Sequence, residues 1–168
     1  MMGGGLGLGM SEAISDLLSY PLDLQILVVT GKNEELYYDI KNLNLPNVAV
    51  FGFIDNIHEL MSVSDLIITK PGGITVTEAL IKELPIIVTS KLPGQEERNT
   101  EFILNNGIGM IATSSNTLIS CLSLLKEDIH KYNIYKENMR KIKKPYAAKD
   151  IANFLLSLGQ ASHPIQKN

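Results

Sequence analysis

Three loops of this 168-residue chain hold residues whose types and spacing could do chemistry. The first is Gly3-Gly4-Gly5-Leu6-Gly7-Leu8-Gly9. Glycines let backbone N–H groups approach a phosphate, and a helix starting just after them adds partial positive charge. The second is Lys70-Pro71-Gly72-Gly73-Ile74-Thr75-Val76-Thr77-Glu78. Pro71 ends a strand, the glycine pair permits a sharp turn, and the first N–H groups of the following helix suit a diphosphate. Thr75 adds a hydroxyl, and Glu78, three residues on, shares its helix face. A carboxylate there can accept two hydrogen bonds from a ribose diol. Lys70 could neutralise phosphate. The third is Lys91-Leu92-Pro93-Gly94-Gln95-Glu96-Glu97-Arg98-Asn99, where Gln95, Glu96 and Asn99 match sugar hydroxyls. Each loop has a plainer alternative: a flexible terminus, a helix cap with an exposed acid, and a solvated first turn favoured by the helix dipole.

Other chemistries fit less well. The dinucleotide pattern G-x-G-x-x-G fails at Met10, and the strand ending Val29-Thr30 lacks the acid that would bind ribose. The P-loop fails because Gly9 is followed by Met10-Ser11 rather than Lys-Ser/Thr. His58, His130 and His163 are scattered without metal-ligand spacing, so no metal is expected. With 15 Lys+Arg against 18 Asp+Glu the net charge is −3, and aromatics are 6% with no Trp. Neither an electrostatic field nor a stacking platform for nucleic acid is expected. The single cysteine, Cys121, lies in an apolar run and reads as a buried thiol, which suits a reducing cytoplasm. The N-terminus lacks the pattern of a signal peptide, and no 18-residue apolar stretch is present.

The elements that position these loops alternate in kind. Near-continuous apolar runs at 24–30, 47–51, 65–69, 84–89 and 108–112 suit parallel strands buried on both faces. Helical spacing marks 12–19, 34–43, 57–62, 74–83 and 95–105, followed by 116–126, 129–142 and 149–158. Asn33 and Asp55 or Asn56 are candidate N-caps. The alternation predicts an α/β doubly wound parallel sheet, Rossmann-like, in one domain over 1–159 with a flexible polar tail over 160–168. Ligands of such sheets bind beyond the carboxyl ends of the strands, where the three loops fall. The chain opens directly on the glycine loop, so Met1-Met2 is at most the stub of a first strand, and an exposed sheet edge or core face there would invite self-association.

Taken together, the loops resemble the C-terminal, donor-binding half of a GT-B glycosyltransferase. The matching residues are Gly3 to Gly9, Val29-Thr30-Gly31-Lys32-Asn33, Gly52-Phe53-Ile54, Thr69 to Glu78 and Leu92 to Glu96, spanning roughly 3–105. Lys144-Pro145-Tyr146-Ala147-Ala148 and the last helix extend the likeness. The branch is that of the diacylglycerol glucosyltransferases, monogalactosyldiacylglycerol synthases and MurG, with the glycine and sugar loops nearer the first two. The resemblance implies that Gly4, Gly5, Gly7, Gly72, Gly73 and Thr75 face the diphosphate. It implies that Glu78 holds the ribose, that the backbone at Phe53 and Ile54 reads the uracil, and that Gln95, Glu96 and Asn99 hold the sugar. The donor would be UDP-glucose, UDP-galactose or UDP-GlcNAc, transferred with inversion, without cofactor or metal, to a lipid acceptor such as diacylglycerol.

In such enzymes the other half binds the acceptor and supplies the general base, and neither is found in this sequence. The chain alone is therefore expected to be inactive, with its acceptor reached through a missing domain or a partner subunit. A second expectation is a naturally small donor-binding subunit of a split UDP-GlcNAc transferase with a membrane partner. The basic run Arg140-Lys141-Ile142-Lys143-Lys144 offers peripheral contact with the cytoplasmic membrane face or, equally, a solvated helix face.

Overall fold

The computed structural model describes residues 1–3, 14, 15, 17, 23–89 and 94–161. Five strands alternate with helices: β1 (Ile26–Val29), α1 (Glu34–Asn42), β2 (Val48–Phe51), α2 (Ile57–Ser62), β3 (Ile67–Thr69), α3 (Gly73–Lys82), β4 (Ile86–Val88), α4 (Gln95–Asn105) and β5 (Gly109–Ile111). Three helices follow, α5 (Ser115–Glu127), α6 (Ile129–Ile142) and α7 (Ala147–Ala161). All strand pairs are parallel: β1 with β2, β3 with β4, and β4 with β5. Met2 joins the two groups by bridging Val29 and Thr69, so the order across the sheet is β2-β1-Met2-β3-β4-β5. The expected strand stub is therefore real and sits at the middle of the sheet.

Alternation along the strands fills both faces. Ile67, Ile86 and Val88 join one core with Val76, Leu80 and Ile103, whereas Ile68 and Ile87 join another with Leu118, Leu122 and Tyr135. Met2 packs against the first and Met1 against the second, as successive strand residues should. Val28 closes a third cluster with Leu36 and Ile40 of α1. Gly109 is demanded by packing, since a Cβ there would collide with the Ile86 carbonyl of β4.

Caps fix the helix starts. Asn33 accepts from the Leu36 amide at 2.9 Å, as its position predicts. Asn56 caps α2 by position without a side-chain bond to its backbone. Ser114 and Thr117 form a reciprocal capping box on α5, and Asp128 caps α6 through the Lys131 amide. At the end of α3, Glu83 takes a left-handed conformation (φ 56°) and binds Lys143 Nζ at 2.7 Å and Arg140 Nε at 2.8 Å. Two cations of the basic run are thus tied to the body of the domain.

Two expectations are corrected. Cys121 is half-buried rather than fully buried, with Sγ 3.9 Å from the Ile111 carbonyl, and burial raises its pKa. The helix expected over 149–158 runs over Ala147–Ala161, so Gln160, assigned to the tail, is helical. Residues 162–168 of that tail lie outside the described residues. On α7, Ile151, Phe154, Leu155, Leu156 and Leu158 are exposed. Among the described residues no helix is long and apolar enough to cross a membrane.

Candidate functional site

The candidate site gathers at the carboxyl ends of the strands, beside the central stub. Met2 pairs with the last residues of β1 and β3, and buried Gly3 follows it. This is where the strand order reverses direction, the usual ligand crevice of open α/β sheets. Gly4, Gly5 and Gly7 lie outside the described residues. Thr69 closes β3 with its hydroxyl donating to the Lys70 carbonyl, and Pro71 is fully buried.

Gly72 is the N-cap of α3 and offers no side chain to the helix start. The first-turn amides, from Gly73 to Thr75, therefore have neither an intrahelical nor a capping acceptor. The first turn of α3 also contains no acid, unlike that of α4, which carries Glu96 and Glu97. The α3 terminus thus keeps its positive end open to an anion. A methyl group added at Gly72 or Gly73 would find its nearest neighbours at 3.9 and 3.8 Å, Thr75 Oγ1 and Asn99 Nδ2. Among the described residues neither glycine is needed for packing, since these are ordinary van der Waals distances. Thr75 and Glu78 are half-buried on α3, one turn apart.

The start of α4 is locked onto this loop. Lys70 Nζ pairs with Glu96 Oε1 at 2.8 Å, the two side chains 25% and 11% exposed. Asn99 Nδ2 donates to the Pro71 carbonyl at 2.7 Å. Gly94, at the N-cap of α4, holds φ 93°, a left-handed value that a side chain would strain. Three of the expected site residues are thus brought together: Gly73, Glu96 and Asn99. Lys70 and Asn99 form the joints between the two loops, a role their spacing in sequence did not reveal. The backbone of Gln95 begins α4, and its side chain lies outside the described set.

Phe53 and Ile54 follow β2 at the same edge of the sheet, Phe53 66% exposed and Ile54 half-buried. Phe53 lines a cavity of about 550 Å³ with Gly31, Lys32, Glu34, Tyr37 and Tyr38. Lys32 Nζ sits 5.7 Å from the Phe53 ring centre, and the two tyrosine rings meet edge to face at 5.2 Å. The three residues from α1 were not foreseen, although the spacing of 34, 37 and 38 behind the Asn33 cap marks one helix face. His58 and His130 are exposed on α2 and α6.

A parallel sheet crossed by a central stub, with two helix starts converging beside it, defines the class: a Rossmann-like α/β domain. MurG of Acinetobacter baumannii superposes on 93% of this chain and 48% of its own, with a TM-score of 0.74 at 20% identity. WaaG, a glycosyltransferase of lipopolysaccharide biosynthesis, covers 87% of this chain and 40% of its own, with a TM-score of 0.64 at 21% identity. The chain belongs to the glycosyltransferase family 28 C-terminal domain family, whose model matches residues 10–154. Among curated relatives, the processive diacylglycerol beta-glucosyltransferase of Bacillus cereus (strain ATCC 10987 / NRS 248) is 36% identical over 149 residues. That of Bacillus anthracis (strain A0248) is 35% identical over 149 residues. In both cases the match covers 87% of this chain and 38% of the relative.

Proposed function

We propose that this chain is the donor-binding half of an inverting UDP-hexosyltransferase whose acceptor is a lipid such as diacylglycerol. The observation that carries the reading is the uncapped, acid-free start of α3 at the point where the strand order reverses, tied by Lys70 and Asn99 to the start of α4. The uracil lies against the backbone of Phe53 and Ile54, in the cavity edged by Tyr37 and Tyr38. Glu78 accepts from the ribose diol. The first-turn amides of α3, with the glycine loop, hold the diphosphate, and Gln95, Glu96 and Asn99 face the sugar.

The chemistry follows from that placement. An acceptor hydroxyl attacks the anomeric carbon from the face opposite UDP. The new C–O bond forms as the bond to the β-phosphate oxygen breaks, and the electron pair leaves with UDP. Fixed N–H donors at a helix start stabilise that growing charge without reorganising. The acceptor proton passes to a base outside this chain. The lipid acceptor is supported by the curated relatives, which are diacylglycerol glucosyltransferases. Calorimetric titration with UDP tests the reading, with NAD and ATP as controls. Saturable UDP binding with neither control bound is expected, and a folded sample that ignores UDP would overturn the assignment.

A further inference from the structure

The cavity at the outer edge of the sheet is lined by a cation that the site has not yet used. β1 and β2 end in register, Val29 beside Phe51, and the buried Thr30 donates its amide to the Phe51 carbonyl at 2.9 Å. Gly31-Lys32 and Gly52-Phe53 leave the sheet side by side from there. Gly31 holds φ 63°, and the Asn33 amide donates back to the Thr30 carbonyl at 3.3 Å. Asn33 in turn caps α1, so the backbone that carries Lys32 is fixed on both sides.

The Lys32 side chain is exposed and reaches over the second segment, with Nζ 5.7 Å from the Phe53 ring centre. Among the described residues Lys32 forms no ion pair, whereas Lys41 beyond the cavity donates to the Tyr37 hydroxyl at 2.9 Å. An exposed ammonium above an aromatic ring is held weakly and turns readily to a better acceptor. It has three hydrogen-bond donors and no acceptor, so it selects for an acceptor on whatever fills the cavity.

Strand order determines which part of a ligand arrives there. In the order β2-β1-Met2-β3, Lys32 and Phe53 stand on one side of Met2, and Glu78, on the helix after β3, stands on the other. On the donor-binding reading above, on which this inference rests, the ribose lies at Glu78 and the base reaches outward to Phe53 and Ile54. The base therefore enters with the ring position farthest from its ribose bond leading, which is position 4 of a pyrimidine. That position distinguishes the pyrimidines, because a 4-keto oxygen accepts a hydrogen bond and a 4-amino group donates one.

We propose that Lys32 is a specificity-determining residue of the donor site, its ammonium donating to the 4-keto oxygen of uracil and so disfavouring cytosine nucleotides. The 4-amino group of cytosine would face the ammonium with a second hydrogen-bond donor and leave it without an acceptor. The Phe53 ring keeps the ammonium at the cavity until the base takes its place.

Calorimetry of the 168-residue chain with UDP, CDP and 4-thio-UDP tests this, with thermal denaturation to check each variant's fold. Wild-type chain should prefer UDP to both analogues, since a 4-thio sulfur accepts poorly. Lys32→Met should lower UDP affinity about tenfold, the loss of one charge-assisted hydrogen bond at an exposed site, and leave CDP affinity level. The variant should also bind UDP and 4-thio-UDP alike, and Lys32→Arg should restore the preference. Equal losses for UDP and CDP would overturn the proposal by setting the ammonium against the phosphates, and an unchanged ratio would overturn it outright. Wild-type chain that ignores UDP would overturn the donor-binding reading as well, whereas UDP binding with an unchanged ratio sinks only the role of Lys32.

Discussion

Replacing Gly73 with alanine separates a packing role from a ligand-facing one. Gly73 is the first helical residue of α3 and does not have positive φ. Its added Cβ would stand 3.8 Å from Asn99 Nδ2, an ordinary van der Waals contact. The free protein therefore tolerates the methyl. Lower unfolded-state freedom should stabilise it by about 0.4–1 kcal/mol, a rise in Tm of roughly 1–4 °C for a chain of this size.

The bound state should respond in the opposite sense. A phosphate oxygen taken up by the amides of Gly73 to Thr75 lies about 2.7–3.1 Å from them. The methyl then projects into the gap between α3 and Asn99 that the diphosphate would enter. Displacing the anion by a fraction of an ångström weakens several hydrogen bonds worth about 1.5–3 kcal/mol each. UDP affinity should fall at least tenfold, about 1.4 kcal/mol. Thermal denaturation and UDP calorimetry on one sample read both quantities. A variant with raised Tm and unchanged UDP affinity would refute the reasoning, because the gap would then hold no phosphate.

Glu78→Ala should weaken UDP binding by about 1–3 kcal/mol through unpaired ribose hydroxyls; an unchanged calorimetric affinity removes Glu78 from the site. Lys70→Met frees Glu96 from its 2.8 Å ion pair and should erase any preference for UDP-glucose over UDP. Equal losses for both ligands would instead set Lys70 against the phosphates. Burial lowers the pKa of the Met1 amine from 8.0 to about 5. The unfolded chain therefore binds this proton more readily, and stability should fall as pH drops from 8 toward 5, by up to about 4 kcal/mol from this group. Urea titrations at pH 6, 7 and 8.5 measure it, and acetylating the amine should flatten that dependence.

Much of the fold was legible because hydropathy and hydrogen-bonding pattern coincide over most of the chain. The helices Ile57–Ser62, Gln95–Asn105 and Ile129–Ile142 match their expected bounds, each set by a capping position and apolar spacing. Strand ends were less legible. The runs at 24–30, 65–69 and 84–89 shrink to Ile26–Val29, Ile67–Thr69 and Ile86–Val88. Leu24, Leu66 and Leu84 are apolar because they line cavities or cores, not because a ladder reaches them. Pro85 has no N–H to donate, and its carbonyl accepts from Ile67.

The same distinction governs the site. Glycines before a helix can be read locally, since their meaning lies in two or three consecutive residues. The joints cannot. Lys70 and Glu96 are 26 residues apart, and Asn99 reaches a carbonyl 28 residues back. Both contacts exist only because β3 and β4 are neighbours in parallel register, which sets the starts of α3 and α4 side by side.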